Sequence, residues 1–290
     1  IRQELQSDVY LELSDEYVAM GQYQEALQLL SFCPTSPICA YHKAYIQHLQ
    51  GNEAEALGTL QSAVSNTKME YVFPHRLTTM VVLQWAESVQ PAWQNRYYLG
   101  LVYLGTQQKQ KAVDMWMQCE ESSFAPLFLT RATYQQDDAQ LQSLLRSEKL
   151  SEAWRCGYML TNYYINHNDS KNAVAVAKRY DKRYPGNYYI DLVYAKALCQ
   201  DGQYSKCIQV LESAHVIPYE DETGGHDIYR DAYLGIARQQ LDKGKYQAAL
   251  DAVAKARLWP ENIGVGKPYD EDIDSSREDA MEAEIRSKMK

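Results

Sequence analysis

The chain has 290 residues, of which 46% are hydrophobic and 23% are charged, and its formal net charge is -9. This composition is typical of a globular protein and excludes a disordered chain. The negative charge argues against a nucleic-acid partner, because a phosphate backbone needs a basic stripe and the sequence shows none. No apolar run approaches the roughly 20 residues of a membrane helix, so we expect no membrane partner.

Two features bear on the compartment. The first residues, IRQELQSDVY, have neither a basic start nor an apolar stretch, so no signal peptide is visible. Cysteines stand at positions 33, 39, 119, 156, 199 and 207, without a C-x-x-C pair or the spacing of a zinc site. We expect free structural thiols rather than a disulfide or a redox pair, which favours the cytoplasm. An exported location stays open if the parent protein has a signal peptide.

A turn followed five residues later by a small residue recurs six times along the chain. The small residues are Ala26, Ala56, Ala112, Ala173, Cys207 and Ala249, and the turns centre on Gly21, Gly51, Thr106 to Gln108, Asn168, Gly202 and Gly244. The pattern resembles the tetratricopeptide repeat, in which two antiparallel helices pack closely at small residues. The resemblance implies an all-α fold, a right-handed α-solenoid of helical hairpins that bury their apolar faces by stacking.

In chain order, the first two repeats are predicted at residues 5–33 and 38–65. The period then breaks, because 56 residues separate Ala56 from Ala112 where the repeat needs about 34. This first insertion holds a helix with a broad apolar stripe, which we place inside the stack. The stripe comprises Leu77, Met80, Val81, Leu83, Gln84 and Trp85.

The third repeat, residues 93–121, fits the tetratricopeptide pattern best, with Gly100 and Trp116 at characteristic positions. A second insertion follows, with 61 residues from Ala112 to Ala173, and it has room for a helix pair at about 125–147. Three further repeats then centre on Ala173, Cys207 and Ala249.

Beyond Pro260 the sequence becomes polar and acidic. We therefore divide the chain into a solenoid of six to seven hairpins over residues 1–268 and a charged capping helix over 269–290. A polar terminal helix shields the last apolar face of a solenoid if Ile273, Met281 and Ile285 dock on the preceding repeat. The alternative is that these residues begin a further repeat.

A wider resemblance rests on four segments, VFPHR at 72–76, WQNRYYLGLVY at 93–103, WRCGYMLTNYY at 154–164 and WPENIGVGKP at 259–268. They are similar to the C-terminal repeat region of a large bacterial family in which a β-rich domain of unknown function precedes tetratricopeptide repeats. His75 stands where that family commonly has an aromatic residue. The family's β-rich part is similar to carbohydrate-processing sandwich domains, which implies a sugar-related role for a segment that is absent from this sequence.

No catalytic motif emerges from the sequence. The string GVGKP at 264–268 lacks two parts of a phosphate loop, since Glu261 replaces the first glycine and Pro268 the hydroxyl residue. We expect it to be a connector that packs on the last repeat. The acidic stretch at 270–274 lacks the ligand spacing of an EF-hand. We therefore predict no enzymatic activity, no cofactor and no metal site.

The repeat register indicates which side chains face the concave surface. In tetratricopeptide hairpins the first helix of each pair lines this surface, and we align these helices on Gly100, Thr161, Ala195 and Ala237. The candidate groove residues are Tyr97, Leu101, Arg155, Tyr158, Asn162, Tyr189, Lys196, Asp231 and Arg238. Tyrosine and arginine are enriched at binding hot spots, although ordinary helix surfaces carry the same residue types.

Two functions are compatible with this sequence. The first is a non-catalytic scaffold that binds a peptide or protein in its concave groove, including the missing N-terminal region of the same polypeptide as a candidate partner. The alternative is an accessory helical domain of a larger carbohydrate-binding or carbohydrate-processing protein, docked on its β-rich domain. We expect a monomer in either case.

Overall fold

The structure is a computed structural model that describes residues 6–33, 36–66, 68–218 and 223–289. Within these ranges it contains α-helices and two short 3₁₀ helices, Glu261–Ile263 and Asp270–Asp272, and no strand. The α-helices are α1 Ser7–Ala19, α2 Tyr23–Ser31, α3 Pro37–Leu49, α4 Glu53–Val64, α5 Leu77–Val89, α6 Trp93–Gly105, α7 Lys109–Met117, α8 Ala125–Thr133, α9 Asp137–Leu150, α10 Trp154–Asn166, α11 Ser170–Arg183, α12 Tyr188–Gln200, α13 Tyr204–Ser213, α14 Gly224–Asp242, α15 Tyr246–Ala256 and α16 Ser276–Lys288. The predicted all-α hairpin fold is therefore confirmed.

All six predicted turns adopt the left-handed backbone conformation that ends a helix. The residues with positive φ are Gly21 (71°), Gly51 (79°), Gln107 (62°), Asn168 (56°), Gly202 (73°) and Gly244 (67°). Glycine and asparagine tolerate this region best, so the turn sequence specifies where the first helix of each hairpin stops. The small residues predicted five positions later are all fully buried.

The chain divides into two compact units, residues 1–150 and 151–290. The first unit pairs α1 with α2, α3 with α4, α6 with α7 and α8 with α9. Helices α8 and α9 fill the second insertion, which confirms the helix pair predicted there. The second unit pairs α10 with α11, α12 with α13 and α14 with α15, and α16 packs on α14 and α15. The predicted division at residue 268 stays a prediction.

Helix α5 is the first insertion, and it packs on α3 and α6. It is also bonded to α1, since the Thr78 hydroxyl donates to Asp15 Oδ2 at 2.5 Å. His42 of α3 lies 2.9 Å from the Thr79 hydroxyl. The buried face of α5 differs from the predicted stripe, because Thr79 is buried while Leu77 and Val81 are exposed. Contacts with three helices, rather than helical periodicity alone, select the buried face.

Three glycines lie beneath aromatic rings of a neighbouring helix. Gly100 of α6 faces Trp116 of α7, and Gly157 of α10 faces Tyr180 of α11. Gly235 of α14 faces Tyr204 of α13 in the same way. In each case a methyl group on the glycine would lie within 2.8 Å of ring atoms, so only glycine allows this approach.

The connector after α15 packs on the last repeats, as the sequence predicted. The Asn262 side-chain amide donates to the carbonyls of Leu211 and Ala214 at 2.8 and 2.9 Å. The Val216 amide donates to the Asn262 carbonyl at 2.8 Å. Gly225 of α14 touches the Ile263 carbonyl so closely that a methyl group there would lie 2.1 Å from the oxygen. These contacts explain the Pro-Glu-Asn-Ile-Gly run as a packing element.

Helix α16 joins the second unit through a buried side chain and a row of ion pairs. Ile285 is fully buried in the second-unit core. The carboxylate of Glu278, which is 2% exposed, accepts hydrogen bonds from Arg230 of α14. Both terminal nitrogens of Arg238 donate to Glu284 at 2.6 Å.

One expectation about the cysteines is corrected by the structure. Cys33 and Cys39 form a disulfide across the connection from α2 to α3. The expectation of free thiols was wrong for this pair, because the sequence shows no pairing motif whereas the fold brings the two side chains together. Cys119, Cys156, Cys199 and Cys207 are free thiols.

The described ranges contain neither a membrane-spanning helix nor a cluster of metal ligands. None of their helices is both long and apolar enough to cross a membrane. The same residues contain no group of three or more histidine, cysteine or acidic side chains arranged to hold a metal ion.

Candidate functional site: a groove in the second unit

An open cavity of about 890 Å³ lies along α10, α12 and α14, the first helices of three successive hairpins. We call it the second-unit groove. Five of the candidate residues line it, namely Tyr158, Asn162, Tyr189, Lys196 and Asp231. Its volume falls within the range of about 300–1,000 Å³ that is usual for ligand sites.

Helical spacing explains why these side chains share one surface. Tyr158 and Asn162 are four residues apart on α10, and Leu192 and Lys196 are four apart on α12, so each pair projects from one helix face. The adjacent faces carry residues that pack the hairpins, such as the fully buried Thr161 and Ala195. The alignment on small central residues thus separates the packing face from the groove face.

Stacked aromatic rings form one end of the groove. The Tyr189 ring stacks on Trp154 with centroids 5.2 Å apart and on Tyr188 with centroids 4.2 Å apart. Tyr158 meets Tyr189 edge to face, at 6.2 Å and 81°. The Arg155 guanidinium lies over Trp154 at 4.6 Å. We call these four rings the aromatic column; Tyr158 and Tyr189 remain 37% and 40% exposed within it.

The middle of the groove offers polar groups that the protein itself does not use. Within the described ranges, the Tyr158, Tyr189 and Tyr204 hydroxyls have no hydrogen-bond partner, and the Lys196 ammonium has neither a hydrogen bond nor an ion pair. The Asn162 amide donates to the Tyr158 carbonyl of its own helix at 3.1 Å. A partner therefore meets three open hydroxyls and one open ammonium here.

An ion pair forms the other end. The Arg277 guanidinium of α16 donates to Asp231 Oδ1 of α14 at 2.6 Å. Both residues line the groove. Asp231 is therefore already paired through Oδ1 with a cation of the protein's own helix α16.

The residues that shape this surface and that sequence reasoning missed are Trp154, Tyr188, Tyr204, Gly235 and Arg277. The Tyr204 ring occupies the space that a side chain at position 235 would fill, since a methyl group there would lie 2.3–2.6 Å from ring atoms. The aromatic that follows a turn by two residues is a visible signal for Tyr204. No feature of a single repeat predicts that the Tyr204 ring packs against Gly235, because the two residues belong to different hairpins.

Two cysteines lie below the same surface. Cys199 lines the groove, while Cys207 is fully buried in the core beneath it. A hydrogen bond from Cys207 lowers the pKa of Cys199, although burial works in the opposite direction. The same hydrogen bond, together with burial, raises the pKa of Cys207.

The other four candidate residues lie outside the groove. Tyr97 and Leu101 belong to α6 of the first unit; Tyr97 is only 4% exposed and packs against Phe124 with ring centroids 5.2 Å apart. A buried ring cannot contact a partner, so the proposed site does not include Tyr97. Arg155 supports the aromatic column from outside, and Arg238 is held by Glu284.

A second cavity in this unit, of about 510 Å³, lies between α14, α16 and the connector. His226 and Trp259 contact each other in its wall, with ring centroids 4.2 Å apart. His226 Nε2 lies 2.9 Å from the Val265 carbonyl, and burial lowers the pKa of this imidazole. A neutral His226 that donates to the connector has a structural role here.

Comparison with known proteins gives likeness of fold only. The sequence matches no protein-family model. No curated protein resembles it at a significant level.

Three solved structures illustrate the likeness. The C-terminal part of a TPR repeat-containing protein from Cytophaga hutchinsonii is 13% identical, with 84% of this chain and 93% of that chain covered and a TM-score of 0.46. A tetratricopeptide repeat protein from Parabacteroides merdae is 12% identical over 97% and 98% of the two chains, with a TM-score of 0.39. The TPR2AB domain of yeast Sti1, in a complex with pHSP90, is 15% identical over 97% and 98%, with a TM-score of 0.30. The described helices and their turns carry the conclusion by themselves: this is an all-α protein built from tetratricopeptide-type helical hairpins.

Proposed function

We propose that the protein is a non-catalytic scaffold and that its second-unit groove binds a segment of a protein partner. One observation carries this proposal: two successive first helices, α10 and α12, present exposed tyrosines and an unpaired lysine on one open surface. A contact with an exposed, rigid side chain that lacks a partner yields more binding free energy than a contact with a side chain that already has one.

The energetics of the groove support a macromolecular ligand. Truncation of a hot-spot tyrosine at the centre of an interface to alanine costs about 2 kcal/mol or more of binding free energy. The stacked rings fix Tyr189 before binding, so little rotamer entropy is lost on association. Because Tyr158 and Tyr189 are both about 40% exposed, a partner that covers them buries apolar ring surface as well as satisfying the hydroxyls.

The groove lining is also unsuited to catalysis. Among the described residues it contains no histidine, serine, threonine or glutamate, and its carboxylates are Asp227 and Asp231. Asp231 is engaged by Arg277. The thiol of Cys199 also lines the groove, but the described lining has no histidine that could act as its base, which supports a binding role.

The experiment is a selection of binding peptides from a random displayed library on the full chain. Selected peptides are then titrated against the triple variant Tyr158→Ala, Asn162→Ala, Lys196→Ala. We expect the triple variant to weaken binding by on the order of 100-fold, since this corresponds to about 2.7 kcal/mol, or one hot-spot tyrosine plus two polar contacts.

A matched control removes the same three residue types from the surface of the first unit: Asn52→Ala, Tyr71→Ala and Lys149→Ala, which are all exposed positions. This control should bind the peptides as the natural chain does. If the peptides bind both triple variants equally well, the groove is not the binding site. If no peptide is selected but a β-rich domain binds through another face, the chain is an accessory domain and the scaffold proposal fails.

A further inference from the structure

The second-unit groove also constrains the chemistry of its occupant, and this inference rests on the function proposed above. The surface is made of helices, whose backbone groups are mostly bonded within each helix, and the described lining contains no strand. An extended strand cannot add to it by β-augmentation, because there is no open backbone edge. The backbone of the occupant must therefore need no β-ladder hydrogen bonds from the groove.

An amphipathic helix meets that condition but does not fit the surface. Such a helix needs an accessible apolar floor. None of the aliphatic residues of the lining is exposed, since Ile165, Val193 and Leu234 are each less than 8% exposed and Leu192 and Ile228 are half-buried. The accessible surface consists instead of aromatic rings and polar tips, led by Tyr158 and Tyr189.

A proline-rich segment fits these features. In the polyproline II conformation it has no internal hydrogen bonds, and its low flexibility reduces the entropy lost on binding. Proline has a carbonyl acceptor but no N–H donor. The three open tyrosine hydroxyls supply donors for such carbonyls, while the Tyr158 ring, perpendicular to Tyr189, gives an apolar corner for a pyrrolidine ring.

Charge supports an uncharged occupant. The ionised residues of the lining are Lys196, Asp227, Asp231 and Arg277, which carry no formal net charge. The groove thus attracts neither a strongly acidic nor a strongly basic segment, and the chain as a whole, at -9, repels acidic ones. Ring contacts and neutral hydrogen bonds are left to determine affinity.

We propose that the second-unit groove recognises an uncharged, proline-rich protein segment in the polyproline II conformation. Tyr158 and Tyr189 supply the apolar contacts, and their hydroxyls and that of Tyr204 donate to partner carbonyls. Because no long-range charge attraction is involved, binding should change little with salt.

The test titrates three labelled peptides of equal length with the full chain, by fluorescence anisotropy. One is proline-rich and uncharged, one has alanine in place of each proline, and one is an amphipathic helix former. We expect the proline-rich peptide to bind at least about tenfold more tightly than the other two. Its affinity should change less than about twofold between roughly 50 and 300 mM salt.

Two double variants separate the ring contacts from the hydroxyl contacts. Tyr158→Ala with Tyr189→Ala should abolish detectable binding. Tyr158→Phe with Tyr189→Phe keeps the rings and should weaken binding by about five- to 150-fold, because it removes two neutral hydrogen bonds that each contribute roughly 0.5–1.5 kcal/mol. Tyr71→Ala, an exposed tyrosine of the first unit, is the control and should have no effect.

The outcomes distinguish this inference from the function on which it rests. If the alanine or helical peptide binds as tightly as the proline-rich one, the inference is overturned. It also fails if library-selected peptides bind the groove but are not enriched in proline, although the scaffold function then stands. If neither the library nor these peptides bind, both proposals fail; circular dichroism of each variant shows that it is folded.

Discussion

Two glycines on helices of the first unit should respond in opposite ways to replacement by alanine. Gly58 lies within α4, and a methyl group added there meets no heavy atom within 4 Å. Gly100 lies within α6 under Trp116. A methyl group there would lie 2.3 Å from the indole nitrogen and 2.7 and 2.8 Å from two ring carbons.

The magnitudes follow from these distances. Alanine is better than glycine in a helix by about 0.5–1 kcal/mol, so Gly58→Ala should stabilise by that amount. At position 100 overpacking costs about 1–3 kcal/mol, because the fully buried ring must move. The indole N–H also leaves the Tyr97 carbonyl, to which it donates at 3.1 Å, and an unsatisfied buried donor costs about 1–3 kcal/mol. After the helix gain, Gly100→Ala should destabilise by about 3 kcal/mol.

The assay is urea unfolding of both variants, followed by far-UV circular dichroism and tryptophan fluorescence. In a unit of this size each kcal/mol moves the melting temperature by about 2–4 °C, so heating should separate the variants by more than about 8 °C. Trp116→Leu makes room for the methyl group, so the double variant should lose at least about 1 kcal/mol less than the sum of the single changes. Stabilisation by Gly100→Ala, or strict additivity in this cycle, would refute the close approach of the two helices.

Three further predictions concern charge and covalent structure. Burial, followed by a neighbouring carboxylate, raises the pKa of Asp191 from 3.8 to about 6. The stability linked to this carboxyl is therefore fully present below about pH 4 and lost as the pH rises through 6. Asp191→Asn should raise the free energy of unfolding at pH 8 by about 1–3 kcal/mol and change it little at pH 4. Equal urea midpoint shifts at both pH values would contradict this. Glu278→Gln leaves the Arg230 guanidinium partly unpaired, so it should destabilise by about 1–2 kcal/mol and speed hydrogen exchange in α16. Glu284→Gln changes an exposed pair and should destabilise less. Equal exchange rates in the two variants would rule out the buried pair as the anchor. In protein purified without reductant, alkylation in denaturant should label the four free thiols. Cys33 and Cys39 should be labelled only after reduction. Six labelled thiols before reduction would exclude the disulfide.

Helices and turns were predictable because both are set by residues close in sequence. Gly21 and Gly202 end their helices in a conformation that depends on one residue and its neighbours, and Ala26 and Cys207 are buried because they follow these turns by a fixed distance. The helix pair at 125–147 was found for the same reason. Within the insertion before α6 the helix was predicted, but its buried face was not.

For the groove, the sequence predicted positions but not their surroundings. Tyr158, Asn162 and Lys196 follow from helical periodicity and the repeat register. Tyr97 occupies an equivalent position in α6, but it is buried, and it packs on Phe124, 27 residues further along the chain. An equivalent position in a repeat therefore indicates the direction in which a side chain points, but the exposure of that side chain depends on the residues that neighbouring elements pack against it.

By itself, the sequence determined the helical class, the turns and the candidate face of each first helix, because these depend on interactions within about one repeat. Tertiary structure decided the contacts that no repeat period encodes. They include the bond of α5 to α1, the Cys33–Cys39 disulfide and the pairing of Arg277 with Asp231 at the end of the groove. Such contacts join residues that the fold makes neighbours, and a single helix or turn carries no record of the partner that it will meet.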